Sequence, residues 1–176
     1  MGLVDDQNPE QGNSATWLRL HAMVENHHGE LLSRGCGSWA GMVNSIELES
    51  CAIALWQPID EATGQPCAHA TFEPVVLHKA LDASSPHLLR ALVNQEMLRV
   101  VLNVYRRSAE PQERWEHLFT FAWEGSTIES YEVGLGDQGK APVSERVGVR
   151  FRACSLTHEP SGVRCDHGSW PVCLPD

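Results

Sequence analysis

The stretch FEPVVLHKALDASSPHLLRAL, residues 72–92, carries the chain from an extended segment into a helix. Ser85 is a preferred N-cap residue, because its hydroxyl can accept from a backbone N–H of the first turn. Pro86 would follow at the first helical position, where its missing N–H costs nothing. The residues that then fall at helical spacing and predict one apolar stripe are Leu88, Leu89, Leu92 and Val93.

The same stretch also contains an acid, two serines and a histidine close together, which raises the alternative of a hydrolase site. A nucleophilic serine needs a strained turn with a base and oxyanion donors around it, and the stretch has no GxSxG pattern. Cap serines are far commoner than catalytic ones, so we predict no catalytic residue here. The sequence instead predicts a helix-cap motif of Asp82, Ser84, Ser85 and Pro86.

Length and composition describe an ordinary soluble domain. The chain has 176 residues, of which 42% are hydrophobic and 20% are charged, enough to bury a core as one domain. A formal net charge of −10 argues against nucleic acid and against anionic lipid as partners. No apolar run approaches the roughly 20 residues that a membrane span needs, so we predict no membrane insertion.

The first residues, MGLVDDQNPEQGNSAT, have no basic region followed by an apolar one, so they are not expected to be a signal peptide. Asp6 stands where a myristoylation motif needs Ser or Thr. We therefore expect a chain made and folded in the cytoplasm. Its predicted parts are a flexible arm at residues 1–15, one domain at 16–170 and a short tail at 171–176, which leaves no room for a fused toxin domain.

Alternation with a period of two recurs along the rest of the chain and predicts seven or so strands. The clearest segments are TWLRLHAMV, MLRVVLNVYRR, RWEHLFTFAWEG and SERVGVRFRACSL, with SGVRCDHGSW as a possible last strand. In the third of these, one face is predicted to hold Trp115, His117, Phe119, Phe121 and Trp123. Many antiparallel strands with a single helix favour a mainly β fold, a small β-barrel or a sandwich capped by that helix.

Six cysteines and several histidines raise the question of a metal site. The cysteines form no CxxC pair, and in a cytoplasmic chain they are expected to be buried or incidental thiols. The best metal candidates are Cys154, His158, Cys165 and His167, with Asp166 alongside. Their spacing matches no closed zinc pattern, and Cys154 is predicted to lie opposite the apolar face of its strand. We predict no metal and no cofactor.

The ordered set of segments resembles the haemolysin co-regulated protein family, Hcp. Its Lys-x-x-Asp-x-Ser-Ser-Pro turn is matched by Lys79, Asp82, Ser84, Ser85 and Pro86. The family's long hairpin is similar to residues 100–130, and its Glu-x-Val strand is similar to residues 144–158, where Glu145 and Val147 fit. The resemblance covers about residues 16 to 170.

The resemblance implies structural work rather than catalysis. It implies a homohexameric ring, rings that stack into the inner tube of the type VI secretion system, and a lumen that carries effectors. The implied partners are the chain itself and the sheath, spike and effector proteins. The protein would be secreted by that system without a cleaved signal peptide.

An exposed loop is also matched by position to the family's ring-stacking loop. Its prolines, acidic pair and Thr-Gly indicate an exposed connection, which could equally be merely solvated. The residues assigned to it are Gln57, Pro58, Ile59, Asp60, Glu61, Thr63 and Gly64.

Two alternatives to a tube subunit stay open. One is an orphan Hcp-like adaptor or chaperone for a specific effector, with the same fold. The other is a metal-dependent enzyme that uses the Cys/His residues near the carboxyl end.

Overall fold

The computed structural model describes residues 18–34, 36, 42–108, 114–134 and 143–168. The flexible N-terminal segment predicted at residues 1–15 and the C-terminal tail predicted at 171–176 lie outside these ranges. The elements are β1 (Leu18–Asn26), β2 (Ile46–Leu48), β3 (Ser50–Ala52), β4 (Leu55–Trp56), β5 (Thr71–Phe72), β6 (Val75–Ala80), α1 (Ser85–Val93), β7 (Leu98–Arg107), β8 (Trp115–Gly134), β9 (Ser144–Arg150), β10 (Ala153–His158) and β11 (Val163–His167). The prediction of a mainly β fold with one helix is confirmed.

Nine of the strands form one antiparallel sheet. Its order is β2-β1-β7-β8-β9-β6-β3, with β10 added to β8 and β11 added to β10. The strands at the two ends, β2 and β3, are consecutive parts of one segment with only Glu49 between them, and the Glu49 N–H donates to the His78 carbonyl at 2.8 Å. The predicted barrel is therefore not closed by strand pairing, because a continuous piece of chain, rather than a hydrogen-bonded ladder, joins the two ends of the sheet.

β8 is long because it changes partners along its length. Its first half pairs with β7 and β10, and its second half pairs with β9. Gly125 lies at the change with a φ of +58°, a left-handed conformation that glycine adopts without strain. One strand thereby connects the β10–β11 end of the molecule to the end where α1 packs.

A bulge near the start of β8 changes which face its side chains occupy. Phe119 pairs with Val104, but the next β7 residue, Tyr105, pairs with His117. The extra residue reverses the alternation, so His117 and Trp115 lie on the outer face, away from the core. There the His117 ring stacks on Tyr105 with centroids 4.7 Å apart. The predicted aromatic face is thus wrong at Trp115 and His117.

The core lies on the opposite, inner face of the sheet. Its largest fully buried apolar side chain is Trp123 of β8. Other buried members of this core include Ala22, Val24, Ile46, Val75, Leu77, Leu88, Ala91, Val100, Leu102, Val147 and Val149.

The strand predicted as SERVGVRFRACSL is two strands, β9 and β10, because Phe151 and Arg152 interrupt it. The interruption shifts the inward positions from odd numbers, such as Val149, to even numbers, such as Cys154. Cys154 therefore packs against the core. Its predicted position opposite the apolar face was wrong, because that prediction extended one alternation through the break.

α1 packs against the second half of β8 and covers one end of the core. Leu88 and Ala91 are buried and Leu92 packs against them, but Leu89 and Val93 are exposed. The predicted apolar stripe is therefore wrong at two of its four positions, because a single sheet covers only one side of this short helix. α1, the one helix in the described part of the chain, does not have the length and apolar character to cross a bilayer.

Candidate assembly surfaces

A buried cluster of charges holds the start of α1. Lys79 on β6 and Glu145 on β9 are direct cross-strand partners. The Lys79 Nζ lies 2.6 Å from Glu145 Oε1, and the two side chains are 1% and 0% exposed. The same Nζ donates to Asp82 Oδ1 at 2.8 Å and to Ser85 Oγ at 3.2 Å. Several acceptors thus surround this ammonium, as a buried charge requires.

The residues predicted as a helix-cap motif lie at the start of α1, but they do not have the predicted roles. Ser84, not Ser85, is the N-cap residue, and Pro86 is at the second helical position rather than the first. The Ser84 hydroxyl makes no cap hydrogen bond and donates to Asp82 Oδ1 at 2.6 Å. The Ser85 Oγ accepts from the Asp82 N–H at 3.0 Å and from Lys79. Ser85 is not the N-cap because its hydroxyl faces a buried ammonium, which is a stronger donor than a neutral helix N–H.

Tyr131 on β8 completes the cluster by donating to Glu145 Oε2. Burial and the contact with Glu145 raise the pKa of Tyr131 to about 12, which keeps its hydroxyl protonated as a donor. Burial alone would raise the pKa of Asp82, but hydrogen bonds from Lys79 and Ser84 outweigh it and hold that pKa below its ordinary value. The cluster therefore fixes the first turn of α1 against three strands.

Sequence reasoning placed Lys79 and Glu145 in the family pattern but missed that they pair. Lys79 occupies the next inward position after Leu77. Glu145 occupies the inward position before Val147. A charge that continues an apolar alternation is expected inside, where it needs an opposite charge. Two opposite charges at inward positions of separate strands could therefore have indicated from the sequence that Lys79 and Glu145 pair.

The loop assigned to ring stacking forms part of an arm, residues 55–72. Its base is the β4–β5 pair, in which Leu55 is opposite Phe72. Further out, Ile59 and Pro66 form an isolated antiparallel bridge. The seven predicted residues, Gln57, Pro58, Ile59, Asp60, Glu61, Thr63 and Gly64, all lie in this arm, and all except the half-buried Pro58 are exposed.

Local hydrogen bonds order the tip of the arm. Asp60 Oδ1 accepts from the N–H groups of Ala62 and Thr63, at 2.8 and 3.3 Å. The Gly64 N–H donates to the Asp60 carbonyl at 2.7 Å, and Gly64 has a φ of +68°. This is an Asx-type turn, in which a short acidic side chain substitutes for backbone contacts. The tip therefore has a preformed shape.

Apolar side chains accompany this turn. Leu55, Trp56 and Ile59 are exposed. At the base of the arm, the Phe72 ring packs against Phe151 and His167, with centroid distances of 5.3 and 5.1 Å. Large exposed apolar groups on an ordered element indicate contact with another molecule.

A shallow groove of about 330 Å³ crosses the outer face of the sheet. Its floor consists of small side chains, among them Val101 and Ala122. The Arg99–Glu124 pair lies at one side, with Nε 2.7 Å from Oε1. The groove thus combines small apolar and hydroxyl side chains with charges that are already paired.

The inner face of the β10–β11 end carries a second feature, which we call the shelf. The shelf comprises Phe119, Phe121, Leu156, Val163 and Cys165. It continues the core layer outward, because Leu102, Phe121, Leu156 and Cys165 are successive partners across β7, β8, β10 and β11. Exposure rises along this direction, from 2% at Leu102 to 37% at Leu156, and Val163 on the outermost strand is 68% exposed. The apolar layer of the core therefore continues into a region where its side chains are exposed to solvent.

The residues considered as metal ligands lie along the same hairpin without converging. Cys154 and His167 are partners across β10 and β11, and His158 lies at the far end. Asp166 is turned to the outer face, where it pairs with Arg164 at 2.7 Å. Across the described ranges, no group of three or more His, Cys, Asp or Glu side chains is arranged to hold a metal ion.

The cysteines in the described ranges are free thiols. Cys36 is buried, Cys51 and Cys154 are partly buried, and Cys67 and Cys165 are exposed. Burial raises the pKa of Cys51 to about 11. That thiol therefore stays protonated at neutral pH and acts as a small apolar group.

Fold and surfaces together define a small, mainly β protein with ordered, exposed apolar surfaces of the kind that associate with other chains. Residues 34–158 match the family model described as type VI secretion system effector, Hcp. The chain belongs to the Hcp family, as the resemblance of its segments predicted.

Relatives of known identity agree with this assignment. The chain is 36% identical over 111 residues to the major exported protein of Pseudomonas aeruginosa PAO1, a match that covers 60% of this chain and 63% of that protein. It is similar to a crystal structure of an Hcp protein, with a TM-score of 0.79, 21% identity, and coverage of 86% of this chain and 99% of the other. It is also similar to the structure of the secreted protein Hcp3 from Pseudomonas aeruginosa, with a TM-score of 0.69 and 21% identity. That match covers 88% of this chain and 99% of the other. At such identities the solved structures establish the fold alone.

Proposed function

We propose that this protein is a subunit of the inner tube of a type VI secretion system. Copies of the chain form six-membered rings, the rings stack into a tube, and the lumen carries effector proteins. The observation that carries the proposal is the family match over residues 34–158, supported by the Hcp fold. The role is structural rather than enzymatic.

The partners follow from this role. They are identical copies within a ring, further rings in the stack, and the sheath, spike and effector proteins. The subunit is made in the cytoplasm and leaves through the secretion system without a cleaved signal peptide. A relative named as a major exported protein supports export.

The arm supplies the contact between rings in this proposal. Its preformed tip and its exposed Ile59 give a protruding element suited to reach a neighbouring ring. Since Cys67 N–H donates to the Pro58 carbonyl at 3.1 Å, the two strands of the arm are adjacent there. Residues 59–66 can therefore be replaced by two glycines without moving the base of the arm.

Electron microscopy of this shortened variant tests both levels of assembly. Wild-type protein should give six-fold rings and stacks, whereas the shortened variant should give single rings only. Val93→Ser, which removes an exposed apolar group from α1 instead, is the control and should stack normally. Loss of rings on shortening would place the arm in the lateral interface, and normal stacking would exclude it from the stacking contact.

An adaptor or chaperone for one effector is the second candidate function. The groove on the outer face favours it, because small apolar and hydroxyl side chains between paired charges suit an extended peptide segment. Purified protein that binds one effector tightly as a monomer, without forming rings, would support the adaptor instead of the tube subunit.

A further inference from the structure

His21 on β1 is a titratable side chain that is buried on the outer face of the sheet. It is 0% exposed, although Glu47, its direct partner on β2, is exposed. On its other side it lies opposite Asn103 of β7, which is also buried. The burial of an imidazole affects stability, because a buried site penalises its charged form.

Two hydrogen bonds determine which nitrogen of neutral His21 carries the proton. The Ser45 hydroxyl donates to the Met42 carbonyl at 2.6 Å, and the Ser45 oxygen lies 3.1 Å from His21 Nδ1. A hydroxyl has a single hydrogen to donate, so Ser45 must accept from His21. The neutral imidazole therefore carries its proton on Nδ1. A second proton would have to bind at Nε2, which is buried inside the folded chain.

This hydrogen bond fixes the segment that joins the two ends of the sheet. Ser45 is buried and directly precedes β2. Within the described residues, β2 pairs with β1 alone, over three residue pairs. β2 and β3 are the end strands, and Glu49 alone separates them. We call residues 42–52 the seam, and the contact between His21 and Ser45 holds the start of this seam against β1.

Titratable groups approach His21 from several strands, and burial has the largest influence on it. Burial lowers the pKa of His21 from its ordinary value of 6.5, Glu47 on β2 raises it, and Arg19 on β1 lowers it. The Tyr105 ring on β7 meets the imidazole edge-on, with centroids 6.2 Å apart, and burial raises the pKa of this phenol. His117 on β8 stacks on the Tyr105 ring. His21 is therefore uncharged at neutral pH.

We propose that His21 is an acid-sensitive fastener of the seam. At neutral pH the uncharged imidazole holds Ser45 and the start of β2 in place. In mildly acidic solution the imidazole gains a proton more readily when the seam opens and exposes it to water, so acid favours the open form. This inference goes beyond the proposed tube function and does not depend on it.

Proton linkage gives the direction and the range of the effect. An exposed His21 binds a proton as the pH falls below its ordinary pKa of 6.5, whereas the buried imidazole binds one only at lower pH. The stabilisation of the closed seam is therefore complete above this value. It is lost as the pH falls from about 6.5 toward the pKa of the folded chain.

Hydrogen exchange of the full-length chain, measured at one protein concentration, tests the proposal. Protection factors remove the intrinsic effect of pH on exchange and report the opening of each segment. Between pH 7.5 and 5.5, the protection of residues 46–48 in β2 should fall at least about fivefold, because opening binds a proton. Residues 147–149 in β9, a strand with partners on both sides, should change by less than about twofold.

A matched pair of variants assigns the effect to His21. His21→Gln removes the titrating group but keeps an amide that can donate to Ser45. In this variant the protection of β2 should no longer depend on pH over the same range. His27→Gln makes the same change at an exposed position on the neighbouring turn and should behave like the wild type.

Nitrogen NMR of the imidazoles in the wild-type chain gives a second readout that needs no substitution. It should show the His21 proton on Nδ1 and a titration midpoint below 6.5. This measurement tests the fastener even if His21→Gln does not fold.

Each contrary result would overturn the fastener. Constant protection of β2 between pH 7.5 and 5.5 would do so, as would a pH dependence that persists in His21→Gln. An equal loss of protection in β9 would show that acid destabilises the whole chain rather than the seam. A His21 that is charged at pH 7, or that carries its proton on Nε2, would contradict the hydrogen bonding on which the fastener rests. The tube proposal is unaffected by these outcomes.

Discussion

The two ends of the inner face invert the usual arrangement of polar and apolar groups. At the α1 end, Lys79 and Glu145 are buried as ions. At the β10–β11 end, Leu156 and Val163 are apolar and exposed. The buried ions are satisfied within one chain, because Asp82 and other partners surround them. Among the described residues, the apolar side chains at the other end stay exposed, which is typical of a surface that contacts another molecule.

The largest effect is expected from breaking the buried pair. Glu145→Leu removes the nearest carboxylate and leaves the Lys79 ammonium buried, so we expect a loss of about 3–5 kcal/mol in the free energy of unfolding. Urea denaturation at fixed protein concentration measures it. Combining Glu145→Leu with Lys79→Met should recover most of the loss.

An exposed ion pair supplies the control for this experiment. Arg150 Nε lies 2.6 Å from Glu129 Oε2, a distance equal to that of the buried pair. Because this pair is solvated, Arg150→Ala should cost only about 0–1 kcal/mol. Equal losses in Glu145→Leu and Arg150→Ala would contradict the importance given to burial.

Val149 and Val163 allow the same side chain to be compared at the two levels of burial. Val149→Ser, in the core, should cost about 3 kcal/mol, whereas Val163→Ser on the shelf should change the unfolding free energy of the monomer by less than about 0.5 kcal/mol. Thermal or urea unfolding under dissociating conditions measures both. A large loss in the monomer from Val163→Ser would mean that the shelf belongs to the core of the single chain.

A smaller loss is expected at Ser85. Ser85→Ala removes one of the acceptors of the Lys79 ammonium and the acceptor of the Asp82 N–H, which should cost about 1–3 kcal/mol. Ser84→Ala should cost less, because the Ser84 hydroxyl caps no helix N–H. A larger loss for Ser84→Ala than for Ser85→Ala, measured by urea unfolding, would contradict the importance given to the Ser85 hydroxyl.

Acid should weaken the same cluster by a modest amount. The pKa of Asp82 is lower in the folded chain than its ordinary value of 3.8, so its ionised form stabilises the fold above that pH. This stabilisation is lost as the pH falls below about 4 and through the folded pKa. Unfolding free energies measured across this range should fall more steeply for wild type than for Asp82→Asn. Parallel curves would show that the ionisation of Asp82 does not contribute to the stability of the folded chain.

Much of the fold could be predicted from local patterns. The alternating segments became strands, and the Ser-Ser-Pro turn began a helix, because both depend on neighbouring residues. The predicted faces failed where one residue shifts the register. The bulge opposite Tyr105 moved His117 outward, and the break at Phe151 turned Cys154 inward, since a single extra residue reverses every later position.

The sequence by itself determined the family, the main extended segments, the helix and the exposed arm, but not where each strand begins and ends. Only the tertiary structure decided that Lys79 pairs with Glu145 and that the Ser85 hydroxyl accepts a hydrogen bond from Lys79. It also decided that Val163 is exposed on a strand whose pattern suits a core. The physical reason is that pairing between distant strands fixes which residues face each other, whereas local sequence fixes only how each segment folds.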